Sequence, residues 1–311
     1  MSIEVKDLCK RYGEKVVVDH LSFSMPHAGV YALLGTNGAG KTTSIRMMLG
    51  MLSRDSGTVM WNDKPLTTKS CNVGYLAEER GLYPKCGLMD QLLYFASLRG
   101  VSKADAKKRI EYWGSRLEAM EYLHPEQSGA KPVKQRKADQ LSKGNQQKIQ
   151  LMVALLSDPE LIILDEPLSG LDPVNADLFK GIIREEIEKG KYLIMSSHQM
   201  ETIEEFCTDL TILDRSKTVL QGNLADIKKS YGRINLFIKA EQEIKEYIEK
   251  AGVTLLSQVG FTYQCRVTGD EQANRLLKSL VDDNVLLVAF ELREPSLHEI
   301  FVEKVGDTHE E

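Results

Sequence analysis

Gly35-Thr36-Asn37-Gly38-Ala39-Gly40-Lys41-Thr42-Thr43 follows the apolar run Val30-Tyr31-Ala32-Leu33-Leu34 and precedes Ile45, Met48, Leu49 and Leu52 at helical spacing. A strand, a glycine-rich turn and a helix are predicted in that order, with the G-x-x-x-x-G-K-[ST] pattern of a phosphate-binding loop. Glycines let the backbone turn its N–H groups onto phosphate oxygens, and the helix N-terminus adds the positive end of its dipole. In this pattern Lys41 reaches the β- and γ-phosphates and the Thr42 hydroxyl ligates Mg²⁺. Met47, Met48 and Met51 on the same helix read as core filling.

A second motif lies downstream. Leu161-Ile162-Ile163-Leu164 is a continuous apolar run, as expected of a central parallel strand covered on both faces, and it ends in Asp165-Glu166-Pro167. Ligands of open α/β sheets bind beyond the carboxyl ends of the strands, the edge that also carries the phosphate loop. There Asp165 can hold Mg²⁺ through water, and Glu166 can polarise the attacking water. Between the two motifs, Leu141-Ser142-Lys143-Gly144-Asn145-Gln146-Gln147-Lys148 sets small residues at a helix start, another anion site.

The rest of the chain reads as alternating strands and helices. Ser102 followed by Asp105 marks a capping-box start, and Ala106, Ile110, Trp113 and Leu117 recur on one helical face. Residues 124–140 read as a polar loop, whose Lys131, Lys134, Arg136 and Lys137 are expected to be solvated rather than lipid-bound. A helix from Gln146 to about Ser157 presents Ile149, Met152, Val153 and Leu156. Another from about Val174 to Lys189 leads into a buried strand at Tyr192–Met195. Strands alternating with helices mean a parallel α/β sheet. After Gly222 the pattern changes to strand 233–239, helix 242–251, strands 253–259 and 261–267, helix 271–281 and strand 285–292. That βαββαβ order is ferredoxin-like, with Leu236, Ile238, Leu276, Leu280 and Leu287 as its expected core.

Taken together, these motifs resemble the ATP-binding cassette (ABC) ATPases. The resemblance covers residues 1 to about 222 closely, and its signature begins Leu-Ser-Gly-Gly-Gln. Ser142 and Gly144 match that signature, while Lys143 and Asn145 depart from it. Ser169-Gly170-Leu171-Asp172 resembles the D-loop, with Asp172 as its acid. His198, after Ser196-Ser197, resembles the switch histidine that contacts the γ-phosphate, and Tyr12 in Lys10-Arg11-Tyr12-Gly13 resembles the aromatic that stacks on adenine. The family's Q-loop glutamine falls at Glu78 in Gly74-Tyr75-Leu76-Ala77-Glu78-Glu79-Arg80. A carboxylate still ligates a hard cation, so Glu78 is expected to be a Mg²⁺ ligand and coupling residue. Glu294-Pro295-Ser296-Leu297-His298-Glu299-Ile300-Phe301 resembles the closing stretch of exporter ATPases that carry a small C-terminal domain.

The resemblance implies a P-loop NTPase cassette at 1–222, with a mixed sheet core and a helical subdomain at about 84–157. An α+β ferredoxin-like accessory domain at 223–311 follows. It implies ATP and Mg²⁺ as ligands, Lys41, Glu166 and His198 as catalytic groups, and Ser142–Asn145 of one subunit facing the nucleotide of another. A dimer with itself or a homologous ATPase is therefore expected, docked on a separate multi-span permease whose cytoplasmic helix is received by the insert near Tyr83–Leu93. The implied activity is hydrolysis of ATP to drive transport, in the direction of export.

Composition agrees. The 311 residues are 42% hydrophobic and 27% charged, ordinary for a globular chain. Forty basic against forty-five acidic residues give a net charge of −5, which argues against a nucleic-acid partner. The longest apolar stretches, such as Val285–Phe290, are far short of the roughly 20 residues a bilayer span needs. The first residues lack the layout of a signal peptide. Five scattered cysteines read as reduced core thiols. The expected location is the cytoplasm, at the inner membrane face through the permease. A single phosphate loop disfavours the two-cassette translation factors, and the lack of sustained heptads disfavours the chromosome and DNA-repair ATPases. A soluble assembly ATPase is the remaining rival.

Overall fold

The structure, a computed structural model, describes residues 1–79, 81–124 and 136–307. β1 (Ile3–Tyr12) and β2 (Lys15–Met25) form an antiparallel hairpin. Their apolar residues Ile3, Val5, Leu8, Val18, Leu21 and Phe23 point into a common core. β3 (Gly29–Gly35) leads through the phosphate loop into α1 (Lys41–Met48), and β4 (Ser56–Trp61) and β5 (Lys64–Pro65) return to the hairpin. The resulting antiparallel sheet has the order β2-β1-β4-β5.

β6 (Val73–Leu76) precedes a helical region of α2 (Leu88–Leu98), α3 (Lys103–Arg116), α4 (Met120–Leu123) and α5 (Lys143–Leu155). The predicted start at Ser102 is met: its hydroxyl accepts from the Asp105 N–H at 3.1 Å, and Ala106, Ile110 and Trp113 are buried. The helix expected from Gln146 begins three residues earlier, because Ser142 caps it. Of the 124–140 loop, residues 125–135, with Lys131 and Lys134, lie outside the described residues. Arg136 stacks over the Tyr122 ring at 5.2 Å.

β7 (Leu161–Asp165), α6 (Pro173–Glu188), β8 (Tyr192–Ser197), α7 (Met200–Glu204), β9 (Asp209–Asp214) and β10 (Lys217–Asn223) follow. The second sheet has the order β10-β9-β3-β8-β7-β6. Its pairs β9·β3, β3·β8, β8·β7 and β7·β6 are parallel. Every residue of β7 and β8 is buried, which is why neither shows apolar alternation. Parallel strands bring the ends of β3, β7 and β8 to one edge of the sheet.

The remaining elements are α8 (Leu224–Tyr231), β11 (Asn235–Ala240), α9 (Lys245–Lys250), β12 (Thr254–Val259), β13 (Thr262–Arg266), α10 (Asp270–Asp282), β14 (Leu287–Arg293) and α11 (Leu297–Asp307). Their sheet order is β12-β13-β11-β14, all antiparallel. Leu236, Ile238, Leu276 and Leu280 fill its core, with Leu287 partly buried against it. The chain groups into two compact units, Met1–Gln199 with Phe206–Gln221, and Gly222–Glu311 with Met200–Glu205. Within the second unit the Glu204 carboxylate accepts from the Leu297 N–H at 2.9 Å and pairs with Lys228.

Some expectations need correcting. Cys71, Cys207 and Cys265 are core thiols, but Cys86 is exposed and Cys9 half-buried. Met47 and Met48 are buried, whereas Met51, past the end of α1, is exposed. Among the described residues no helix is long and apolar enough to cross a membrane.

Gly74 locks the helical region to the sheet edge. A β-carbon there would stand 2.3 Å from the Ala154 carbonyl oxygen and 2.8 Å from the Pro159 ring. Gly74→Ala should therefore cost about 1–3 kcal/mol through overpacking, seen as a lower urea midpoint. An unchanged midpoint would show that β6 and α5 separate at no cost.

Candidate active site

The loop between β3 and α1 is shaped by close backbone approach. At Gly35 (φ 154°) a β-carbon would lie 2.4 Å from the Leu213 carbonyl oxygen, and at Gly40 (φ 108°) 2.5 Å from that of Val17. Neither position accepts a side chain. The Ala39 N–H donates to the Thr36 oxygen at 3.2 Å, closing the turn. Lys41, only 6% exposed, folds back so that its ammonium donates to the carbonyls of Gly35 (2.8 Å) and Thr36 (3.2 Å).

The acids of β7 meet this loop. The Thr42 hydroxyl donates to Asp165 Oδ1 at 3.2 Å, and the Ser196 hydroxyl at the end of β8 donates to the same oxygen. Asp165 is fully buried, and its Oδ2 has no hydrogen-bond partner among the described residues. Burial pushes its carboxyl above the usual range, against the pull of the Ser196 and Thr42 hydroxyls, and the neighbouring Glu166 charge adds to the rise. An orphaned buried carboxylate oxygen beside a threonine hydroxyl fits a hard divalent cation such as Mg²⁺, which takes oxygen ligands. Glu166 sits at φ 50°, its N–H donating to Ser196 Oγ at 3.0 Å. From this turn its carboxylate lies 3.6 Å from the Lys41 ammonium and 2.9 Å from His198 Nδ1.

A cavity of about 280 Å³ is lined by Asn37, Gly38, Gly40, Lys41, Thr42, Thr43, Glu78 and Glu166, together with Lys15, Val17 and Ser216. Glu78 also lines a neighbouring cavity of about 260 Å³ with Lys143, Gln147, Gln150 and Glu166. Tyr12 is 55% exposed at the end of β1, with the Lys10 ammonium 5.4 Å from its ring centre.

The other predicted residues lie elsewhere. None of Ser142–Asn145 lines the phosphate-loop cavity. Ser142 caps α5 by accepting from the Asn145 N–H, and the Asn145 amide donates to the Tyr122 hydroxyl at 2.8 Å. The Asp172 carboxylate caps α6 through the Asn175 N–H at 3.0 Å, a bond that holds its carboxyl below the usual range.

Sequence reasoning missed Ser196, Lys15, Val17 and Ser216. Only Ser196 left a local signal, as a hydroxyl ending a buried strand just before the histidine. Gln147 was missed too; its amide donates to the Pro167 oxygen at 2.7 Å and so ties α5 to the turn after Glu166.

Two families match the chain: one described as ABC transporter over residues 18–169, the other as the C-terminal domain of DrrA1-3-like ATP-binding proteins over 222–305. The chain is 38% identical to the ABC transporter ATP-binding protein YhaQ of Bacillus subtilis (strain 168), over 99% of this chain and 100% of that protein. It is 33% identical to the Nod factor export ATP-binding protein I of Ralstonia nicotianae, covering 71% of this chain and 66% of the other. A solved structure titled as the ATP binding subunit of an ABC transporter superposes with a TM-score of 0.65. That match has 27% identity and covers 74% of this chain and 93% of the other.

The raised carboxyl of Asp165 has a sign to test. Above its raised folded value the ionised group weakens the metal-free fold, and protonation on acidification relieves that strain. Asp165→Asn should therefore melt no lower than wild type without metal near neutral pH, yet lose the Mg²⁺-dependent rise in melting temperature with ATP. In the wild type that rise should shrink as pH falls into the raised range. A full Mg²⁺ response in Asp165→Asn would remove Asp165 from the metal site.

Proposed function

Because the chain belongs to the family of ABC transporter ATP-binding proteins, which bind and hydrolyse ATP in partnership with a membrane permease, we propose how its own residues carry that activity. The observation that carries the reading is Glu166, held between Lys41 and His198 on the wall of the phosphate-loop cavity. The loop N–H groups and Lys41 bind the β- and γ-phosphates. Thr42 and Asp165 would hold Mg²⁺, which would neutralise phosphate charge. An arriving γ-phosphate draws the Lys41 ammonium off the Gly35 and Thr36 carbonyls, because a charge-assisted bond to phosphate is the stronger one. Glu166 then loses its counter-ion and is free to orient and deprotonate water. His198 holds Glu166 in place and reaches the same phosphate. Tyr12, exposed beyond the loop, offers its ring to the adenine.

The signature residues lie off this cavity, which supports a dimer in which Ser142–Asn145 face the partner's ATP. An apolar cleft of about 420 Å³ lined by Met51, Tyr75, Leu82, Phe95, Leu98 and Val153 suits a helix of the permease. Tyr83, stacked on Phe95 at 5.8 Å and half-exposed, stands nearby. Glu78, just past β6, faces the nucleotide cavity, and Ala77 and Gly81 beside it line the cleft. This supports Glu78 as both Mg²⁺ ligand and coupling residue. Export is the direction we assign, on the match of residues 222–305 and the Nod factor export relative. The cassette is taken to end near residue 222.

Glu166→Gln should bind ATP, hydrolyse it at least about a hundredfold more slowly, and accumulate as an ATP-bound dimer in gel filtration with Mg²⁺. Monomer only, or turnover within tenfold of wild type, would refute the assignment. Glu78→Gln keeps a carbonyl oxygen for the cation and should change basal hydrolysis little. Glu78→Ala should raise the Mg²⁺ requirement and weaken stimulation by the reconstituted permease, with ATP affinity falling less than about tenfold. Wild-type rates in both assays would leave Glu78 a surface acid.

A further inference from the structure

The β1–β2 hairpin carries a side-chain cluster that the nucleotide site does not use. Between the pairs Leu8↔Leu21 and Lys10↔Val18 the register slips, so Cys9 stands opposite both Asp19 and His20. Between Val5↔Phe23 and Leu8↔Leu21 it slips again, setting Lys6 and Asp7 against Ser22. One residue opposite two is a β-bulge, a device that re-aims side chains. Asp7 and His20 take left-handed backbone angles, φ 48° and 50°, a region that aspartate and histidine enter more readily than most residues.

The outcome is a convergence of three different donors. The Cys9 sulfur, an Asp19 carboxylate oxygen and a His20 ring nitrogen all lie within 4.8 Å of one another. His20 Nε2 is 4.0 Å from Asp19 Oδ1, and His20 Nδ1 is 3.7 Å from Asp7 Oδ1. The His20 backbone N–H donates to the Cys9 sulfur at 3.3 Å. Asp7 is itself anchored, its N–H donating to the Ser22 hydroxyl at 2.8 Å.

We infer that Cys9, Asp19 and His20 form a binding site for a divalent cation of the zinc class, with water completing a tetrahedron. The donor set decides the class. Thiolate with imidazole disfavours Mg²⁺ and Ca²⁺, which want oxygen only, and matches zinc and its cobalt surrogate. Two ligands about 2.0–2.1 Å from a tetrahedral ion stand roughly 3.4 Å apart, so the His20–Asp19 gap closes by a fraction of an ångström. His20 is exposed enough to rotate that far. Asp7 Oδ1, 3.7 Å from Nδ1, comes within hydrogen-bond reach of that nitrogen after a small ring rotation, and a carboxylate is the usual outer partner of a histidine whose Nε2 binds the ion. Two carboxylates and a thiol around one imidazole also leave negative charge that a divalent cation neutralises.

The test uses the full metal-free chain titrated with Co²⁺ and no nucleotide, so its failure says nothing about ATP hydrolysis. One equivalent should produce a thiolate-to-cobalt charge-transfer band in the near ultraviolet, displaced by Zn²⁺. The band should vanish in Cys9→Ser and persist in Cys86→Ser, which removes the exposed cysteine of the helical region. His20→Ala should weaken binding by about tenfold or more. In the wild type, Zn²⁺ should protect Cys9 from alkylation read by mass spectrometry, a result independent of how any variant folds. No band at millimolar Co²⁺, a band that survives Cys9→Ser, or alkylation of Cys9 unaffected by Zn²⁺ would each overturn the site. The first outcome would leave His20 as a plain surface side chain between Asp7 and Asp19.

Discussion

The phosphate loop is wedged between two backbones, and the nucleotide site depends on that fit. Gly35 lies against the Leu213 carbonyl of β9 and Gly40 against the Val17 carbonyl of β2, at separations no β-carbon tolerates. β9 belongs to the parallel sheet and β2 to the antiparallel one. The loop is thus the place where the two sheets of the first unit meet, and its shape is set by both. Lys41 and Thr42 follow directly as the first residues of α1, so the wedge sets where they start, and their bonds to the Gly35 and Thr36 carbonyls and to Asp165 set where their side chains end. Ser44 adds a brace, donating its hydroxyl to the Gly40 carbonyl at 2.9 Å. Such a loop is organised before any ligand arrives, which lowers the ordering cost of binding.

Features encoded by neighbouring residues were legible in the sequence; features made by distant ones were not. The strand–loop–helix at Val30–Leu52, the buried run of β7 and the cap at Ser102 all rest on local patterns. The βαββαβ order of the second unit was readable for the same reason, though α9 is a short turn of helix over Lys245–Lys250 rather than the longer stretch expected. Ser196 joins Asp165 only because β8 pairs beside β7, in register Asp165↔Ser196. Lys15, Val17 and Ser216 reach the cavity from other strands. The grouping of Met200–Glu204 with the second unit rests on Glu204, whose partners Leu297 and Lys228 lie 93 and 24 residues away. Cys9 read as core because scattered free cysteines usually are, and the bulge that sets it opposite Asp19 and His20 depends on pairing that no single strand reveals.

The departures from the family signature have local partners. The Lys143 ammonium lies 2.9 Å from where a side chain at Gly170 would begin, so the lysine occupies space that Gly170 leaves open beside the turn after Glu166. Asn145 binds the Tyr122 hydroxyl, and Gln147 reaches the Pro167 carbonyl. Residues that depart from the pattern on one side are therefore matched by contacts on the other, and α5 stays tied to the acid-bearing turn. A helix N-terminus held this way keeps its free N–H groups in one orientation, which is what an anion site needs.

Asp165 and Glu166 are adjacent, share a charge type and stand in opposite environments. Asp165 ends a strand whose residues are all buried, and its hydrogen-bond partners among the described residues are hydroxyls, which cannot offset a full negative charge. Desolvation therefore dominates, and the group is relieved by a cation with oxygen-ligand demand. Glu166 leaves the strand at φ 50° and emerges between an ammonium and an imidazole. There its charge is balanced by groups that a phosphate can draw away. Adjacent acids in unlike surroundings let one site divide metal binding from proton transfer. The division here comes from a single backbone rotation. An extended conformation at Glu166 would send its side chain to the opposite face of the sheet from Asp165, away from Lys41, and the loop would hold its lysine with no acid to release.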